Sequence, residues 1–193
     1  MKIKLFTLFT LFINFYSLKA QEVSAHYIDI DSVEIQLDIY KENEFVLSNF
    51  KNSFNEKDSL MIMKFQANAK SLAQLLEQSD PSPSYYEKKL SQLQNEQKSI
   101  QKFEESINNA DSVLKIELSN WTSDFIKMKI QFYEKQQNFK VEFYSKKQNQ
   151  DGIKLKNLNS EIIKFINESV WKESYQHFVE FIKHKVLFDF NLE

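Results

Sequence analysis

Apolar residues recur along two long polar stretches, residues 32–78 and 84–135, at spacings that keep them on one side of a helix. In the outer part of the first, Phe50, Phe54, Met61, Phe65, Leu72 and Leu76 lie four, seven, four, seven and four residues apart. This is an eleven-residue repeat, which predicts a straight or slightly right-handed apolar stripe. Nearer the start, Val33, Leu37, Tyr40 and Leu47 continue that stripe. In the second stretch Leu93, Ile100, Ile107, Leu114, Trp121 and Met128 recur every seven residues. Their heptad partners, taken as Leu90, Gln97, Glu104, Asp111, Leu118, Phe125 and Phe132, are apolar at both ends and polar in the middle. A weakly sealed centre is therefore expected, either a simple solvated coiled coil or an arm that opens for cargo.

Neither stretch contains glycine, and the two prolines, Pro81 and Pro83, lie between them. Two uninterrupted helices joined at a tip over residues 79–83 follow, the second starting at Ser82-Pro83 or at Ser84 with Glu87. A limb of about 45 residues would extend roughly 65 to 70 Å, beyond the diameter of a compact domain of this length. Such a hairpin arm needs a partner chain or a client.

The pattern outside the arm has period two. In Tyr27-Ile28-Asp29-Ile30-Asp31, Ile28 and Ile30 share one face, which predicts a short strand, and Asp31 with Glu34 resembles a capping box opening the first helix. Phe139, Val141 and Phe143 alternate in the same way and form the strongest strand signal in the chain. The lone glycine, Gly152, sits in a turn sequence that would return the chain through Ile153-Lys154-Leu155-Lys156 as an antiparallel partner. A further helix is expected from Asn159 through Ile166. The fold class is thus α+β, mostly α: a long antiparallel helical hairpin on a small β body.

Residues 1–20 have a basic start, an apolar run over 5–16 and a small-residue exit at Ala20, as a cleavable signal peptide has. The run is shorter than the roughly 20 residues of a spanning helix. Residues 21–193 then form one unit, with a β body from 25–31 and 138–156, an arm over 32–135 and a C-terminal helical extension over 157–193. The chain has 25 lysines, no arginine and 27 acidic residues; losing Lys2, Lys4 and Lys19 leaves the mature part at about −5. That balance argues against nucleic acid, and the absence of arginine removes the rigid fork used for phosphate. With no cysteine, disulfides, thiol catalysis and a lipid-bearing N-terminal cysteine are all excluded.

No residue pattern singles out chemistry. His177 and His184 near Glu173 and Glu180 lack metal-ligand spacing, His26 is isolated, and one glycine cannot form a phosphate loop. Carboxylates alternate with lysines as on solvated helix faces. No enzyme activity, catalytic residue, metal, cofactor or small-molecule substrate is expected.

The order of elements resembles the Skp/OmpH family of periplasmic chaperones. The resemblance is carried by Tyr27-Ile28-Asp29-Ile30-Asp31 before the first helix, by Tyr86–Gln94 after the tip, and by 138–144 followed by Leu158-Asn159-Ser160-Glu161-Ile162-Ile163. It covers about Ala25 to Phe165. It implies a homotrimer of a Gram-negative periplasm, with arms enclosing a cavity that holds unfolded outer-membrane proteins without ATP. Ile28, Ile30, Phe139, Val141 and Phe143 would build the trimer body; a monomeric packed core is their alternative role. The arm residues Phe50, Phe54, Met61, Phe65, Leu72, Leu76, Leu93, Ile100 and Ile107 would line the seam or contact clients. An adaptor coiled coil of the envelope is the alternative function. Two features depart from the family pattern. The mature chain is mildly acidic where family members are strongly basic, so client binding rests on apolar contacts and a transient membrane association stays open. An aromatic tail also continues past Phe165, through Trp171, Tyr175, Phe178, Ile182 and Val186 to Phe190.

Overall fold

The computed structural model describes residues 26–78, 82–144 and 156–192. These are mostly helical, with one small parallel sheet: β1 (His26–Asp29), α1 (Ile30–Glu34), α2 (Asp38–Asn52), α3 (Asn55–Gln78), α4 (Pro83–Gln137), β2 (Val141–Tyr144), β3 (Lys156–Asn157), α5 (Asn159–Asn167) and α6 (Lys172–Asp189). The proposed leader, the tip at 79–81 and the turn around Gly152 lie outside the described residues.

The sheet order is β2-β1-β3, with β1 parallel to both neighbours. His26 faces Val141 and Ile28 faces Phe143 along one edge, and His26 faces Lys156 along the other. This corrects the expected β-hairpin. The strand at 141–144 forms, but its partner is the distant β1, while Lys156 belongs to a strand on the far side. Period-two patterning identifies a strand and which residues share a face; it carries no information about which other strand completes the ladder.

Ile30 is likewise not in the strand but is the first residue of α1. Asp29 ends β1 and caps the helix: its Oδ1 accepts from the Ser32 N–H at 3.3 Å and its Oδ2 from the Ser32 hydroxyl at 2.7 Å. The cap thus falls two residues before Asp31, and the strand is shortened accordingly.

The first limb is three helices, not one. Between α1 and α2, Leu37 adopts extended backbone and turns a fully buried side chain inward. Asp38 N–H, at the start of α2, donates to Asn167 Oδ1 at 3.1 Å. Between α2 and α3, the Ser53 hydroxyl donates to the Phe50 carbonyl at 2.6 Å, within a run holding Asn49, Asn52 and Asn55. Short polar side chains that hydrogen-bond nearby backbone compete with helix continuation, so the absence of glycine and proline did not suffice.

The long helix α4 is continuous over 55 residues, about 80 Å at 1.5 Å per residue. It opens with Pro83 after Ser82, where the missing N–H costs nothing. Asn138 ends it in the left-handed region at φ 57°, a conformation asparagine tolerates better than most residues. Around its C-terminal part the core is assembled from β1, α1, α2, β2, α5 and α6. Ile28, Val33, Leu37, Ile130, Leu158 and Ile162 are all buried at the sheet end. Tyr175, Ile182 and Val186 of α6 are buried in the same core. Trp121 anchors that contact, stacked between Phe125 at 5.2 Å and Phe178 at 5.7 Å, with Tyr175 edge-on at 5.3 Å.

Candidate functional site

α2 and α3 run antiparallel to α4. Asn43 meets Thr122, Lys51 meets Asp111, Phe54 meets Phe103 and Asn68 meets Glu96, so the contacts descend one helix as they climb the other. The inward positions of the first limb are Phe54, Asp58, Met61, Phe65, Asn68, Leu72 and Leu75, all buried or half-buried. Those of α4 are Leu93, Glu96, Ile100, Phe103, Ile107, Ala110 and Leu114. Both rows alternate three and four residues, the spacing of a heptad coiled coil.

Two expectations are corrected by this seam. The eleven-residue repeat arose because Asp58 and Asn68 are polar; counting apolar residues alone skips them and turns three-four spacings into sevens. Leu76 accordingly is half exposed, and Leu75 takes the inward place. In α4 the heptad row Leu93, Ile100, Ile107, Leu114 and Trp121 lies inward, and of its expected partners Leu118 and Phe125 are buried, but in the middle the partners are shifted by one residue. Gln97 and Glu104 are exposed, whereas Glu96, Phe103 and Ala110 face α3 and α2. The centre is therefore better sealed than a Gln97-Glu104-Asp111 flank implies. Nearer the sheet the row leaves the interior: Met128 and Phe132 are more than half exposed, while Ile126 and Ile130 are buried.

The sheet candidates separate in the same way. Ile28 and Val141 are buried. Phe139 lies just before β2, half-buried, its ring stacked on His26 at 4.0 Å and edge-on to Tyr133 at 6.0 Å. Phe143 stands opposite Ile28 in the ladder. Val141 N–H donates to Glu134 Oε1 at 2.7 Å, tying the strand to the end of α4.

Polar groups punctuate the seam. Asn68 Nδ2 donates to both oxygens of Glu96 at 2.9 and 3.0 Å, and Gln92 Nε2 adds a third bond at 3.1 Å. The hydrogen bond from Asn68 is the main cause that holds the Glu96 carboxyl below its ordinary range, with Gln92, Lys64 and Lys89 adding to it against a smaller opposing effect of burial. Beside this pair, Met61, Lys64, Lys88, Ser91, Asn95 and Ile100 line an open groove of about 550 Å³. Nearer the sheet, Asp58 and Asp111 each bury one carboxylate oxygen without a hydrogen-bond partner, although Asp111 also pairs with Lys51 at 3.0 Å.

Outside the seam the arm carries large apolar side chains in solvent: Leu60, Met63, Leu76, Tyr85 and Leu90. The residues named for both seam and client contact thus divide. Phe50, Phe54, Met61, Phe65, Leu72, Leu93, Ile100 and Ile107 pack within the arm, and only Leu76 is open to solvent. Leu60 and Met63 were missed because they fall outside any repeating row.

Also missed was a buried polar chain at the root of the arm. Tyr175 Oη donates to Asn43 Oδ1, whose amide donates to Thr122 Oγ1. Burial, with the nearby charge of Glu42, pushes the Tyr175 hydroxyl above its ordinary range, so it stays a neutral donor. Its signal in the sequence is that Asn43 continues the inward row of Ile39 and Phe50.

Among the described residues no group of three histidine, aspartate or glutamate side chains is placed to hold a metal. No helix among them is long and apolar enough to cross a membrane. No protein-family model matches the chain, and no curated protein matches it.

Proposed function

We propose that the protein is an ATP-independent holdase of the periplasm that keeps unfolded outer-membrane proteins from aggregating, acting as a homotrimer of arms on a shared β body. The observation that carries this reading is the combination of a long arm, α2 and α3 packed along α4, with leucine, methionine and tyrosine side chains facing solvent along it. Unfolded membrane-protein segments are rich in apolar side chains, and scattered exposed apolar contacts on a long arm suit many such sequences without selecting one. The sheet supports the oligomer. Its strands are only four, four and two residues long, and β2 and β3 each have one strand neighbour among the described residues. Short strands with open edges gain stability when several chains pool them.

The test is a refolding assay. The chain, without residues 1–20, is expected to sediment as a trimer and to keep a urea-diluted outer-membrane protein soluble near stoichiometric ratios without nucleotide. Rapid client aggregation at a several-fold molar excess of trimer defeats the reading.

A second reading is a structural or adaptor coiled coil of the envelope, favoured by the apolar seam through Phe103 and Ala110, which closes the arm on itself. It predicts one dominant partner in a pull-down and no protection of unfolded clients.

A further inference from the structure

We infer that the arm pivots at one level, Ser53 to Asn55 on the first limb and Asn108-Asn109 on α4, and that the C-terminal helix α6 fixes this level by bracing the root inward of it. Both limbs are weak there. α2 ends at Asn52 and α3 begins at Asn55, so the first limb changes helix at Ser53 and Phe54. α4 has no break, but Asn108 and Asn109 stand side by side in it, and asparagine is among the poorer helix formers. The Ser112 hydroxyl also donates to the Asn108 carbonyl at 2.8 Å, a contact that favours a bend. Asn55 and Asn108 line the same open pocket of about 330 Å³, which places the two weak points opposite each other. Ser99 bonds the Asn95 carbonyl in the same manner at 2.9 Å, but that part of α4 faces unbroken α3.

Packing changes at the same level. Inward of it, Ala110, Leu114, Leu118, Thr122, Phe125, Ile126 and Ile130 of α4 are all buried. Outward, among the described residues of 55–77 and 83–109, Leu72 alone is buried. Two helices leave each side chain of their seam partly wet, whereas a third layer seals it. α6 is that third layer: Tyr175 and Phe178 meet Trp121, Lys185 reaches Glu117 at 3.9 Å, and the helix ends four residues later at Asp189. Running antiparallel to α4, it therefore covers α4 outward only to about residue 113. The bond from Tyr175 to Asn43 ties it to α2 as well. Phe54, buried and edge-on to both Phe50 and Phe103, closes the root at its outer end.

Bending inward of Ala110 would have to open a close-packed core of three helices. Bending at the pivot disturbs contacts that are already half-wet, and it gives water access to the buried, unpaired oxygen of Asp58 just beyond. Leu60, Met63 and the groove beside Met61 and Ile100 all lie outward of the pivot, so they move together as one surface. The inference does not depend on what that surface binds or on how many chains share the sheet.

The absence of cysteine allows a direct test by spin labelling of the full chain. Lys98→Cys with Lys127→Cys, both exposed, spans the pivot along α4 at about 44 Å, and Lys115→Cys with Lys135→Cys, also exposed, spans the braced part at about 30 Å. Each doubly labelled chain is refolded with excess unlabelled chain, so that one labelled pair sits in any assembly. Double electron–electron resonance is expected to give a distance distribution roughly twofold broader across the pivot than within the root. Asn108→Ala with Asn109→Ala, at exposed positions, strengthens the helix and narrows the broad distribution toward the other. Phe178→Ala, which removes the ring stacked on Trp121, loosens the brace and broadens the root distribution. Equal widths for the two pairs in the wild type, or no narrowing in the double alanine variant, overturns the pivot. An unchanged root distribution in Phe178→Ala overturns the bracing role of α6.

Discussion

Tyr175 donates a 2.7 Å hydrogen bond to Asn43, joining the C-terminal helix to the first limb across 132 residues of chain. The same amide donates to Thr122 of α4 at 2.9 Å, so one buried chain of polar groups crosses three helices. Repeated apolar seams tolerate a slip of one heptad; a buried polar contact does not, because slippage leaves its groups unpaired.

Removing the Tyr175 hydroxyl therefore exposes the cost of an unpaired amide oxygen. Tyr175→Phe is expected to lower unfolding free energy by about 1–3 kcal/mol, measured by urea denaturation. Asn43→Leu, Thr122→Val and Tyr175→Phe combined are expected to cost less than the sum of the three single changes, because no orphaned group is left. Strict additivity would show that the three do not act as a unit.

Seam and surface positions on the arm are expected to separate stability from client protection. Phe54→Ala, in the seam beside Phe50 and Phe103, should cost about 3–5 kcal/mol. Leu60→Ser with Met63→Ser, both exposed, should change stability by no more than about 0.5 kcal/mol each while reducing aggregation suppression. Full protection by the double variant would remove these side chains from client contact.

Asp58 occupies an inward position of α3 with one carboxylate oxygen buried and unpaired. Asp58→Leu should raise stability by about 1–3 kcal/mol, since an apolar side chain replaces a group whose desolvation is uncompensated. A lower melting temperature would mean that the carboxylate is satisfied in solution.

Glu96 gives the arm a pH response of known sign. Its proton is held less readily in the fold than in the unfolded chain, chiefly through the bond from Asn68. Its stabilising contribution is present above the ordinary value of 4.5 and is lost as pH falls through the lower folded value. Solvent near the pair keeps the effect small. Melting curves of wild type and Asn68→Ala should converge in acid and diverge above about pH 5; parallel curves throughout would sink the assignment.

Much of this architecture was legible in the chain. The proline pair between two polar stretches marked the division between α3 and α4, and alternation at Val141 and Phe143 marked β2. Asn159 marked the start of α5. The candidate seam was legible only in outline. Its apolar members stood out, but Asp58, Asn68 and Glu96 hid the true three-four rhythm, because a polar residue at an inward position looks like a break until its partner is known. The interruptions at Leu37 and Ser53 were hidden for a related reason: neither involves glycine or proline, and each depends on where a neighbouring element draws the side chain or the backbone.

By themselves, the residues determined the mostly helical character, the inward stripe of the long helix and the strand character of His26–Asp29 and Val141–Tyr144, because all of these follow from local periodicity and propensity. The tertiary structure alone decided that β1 lies between β2 and β3 in parallel, that α4 turns Phe103 rather than Glu104 inward, and that Tyr175 reaches Asn43. Each of these joins segments far apart in the chain. The free energy that selects such pairings comes from burial and hydrogen bonds between the segments, which no local pattern records.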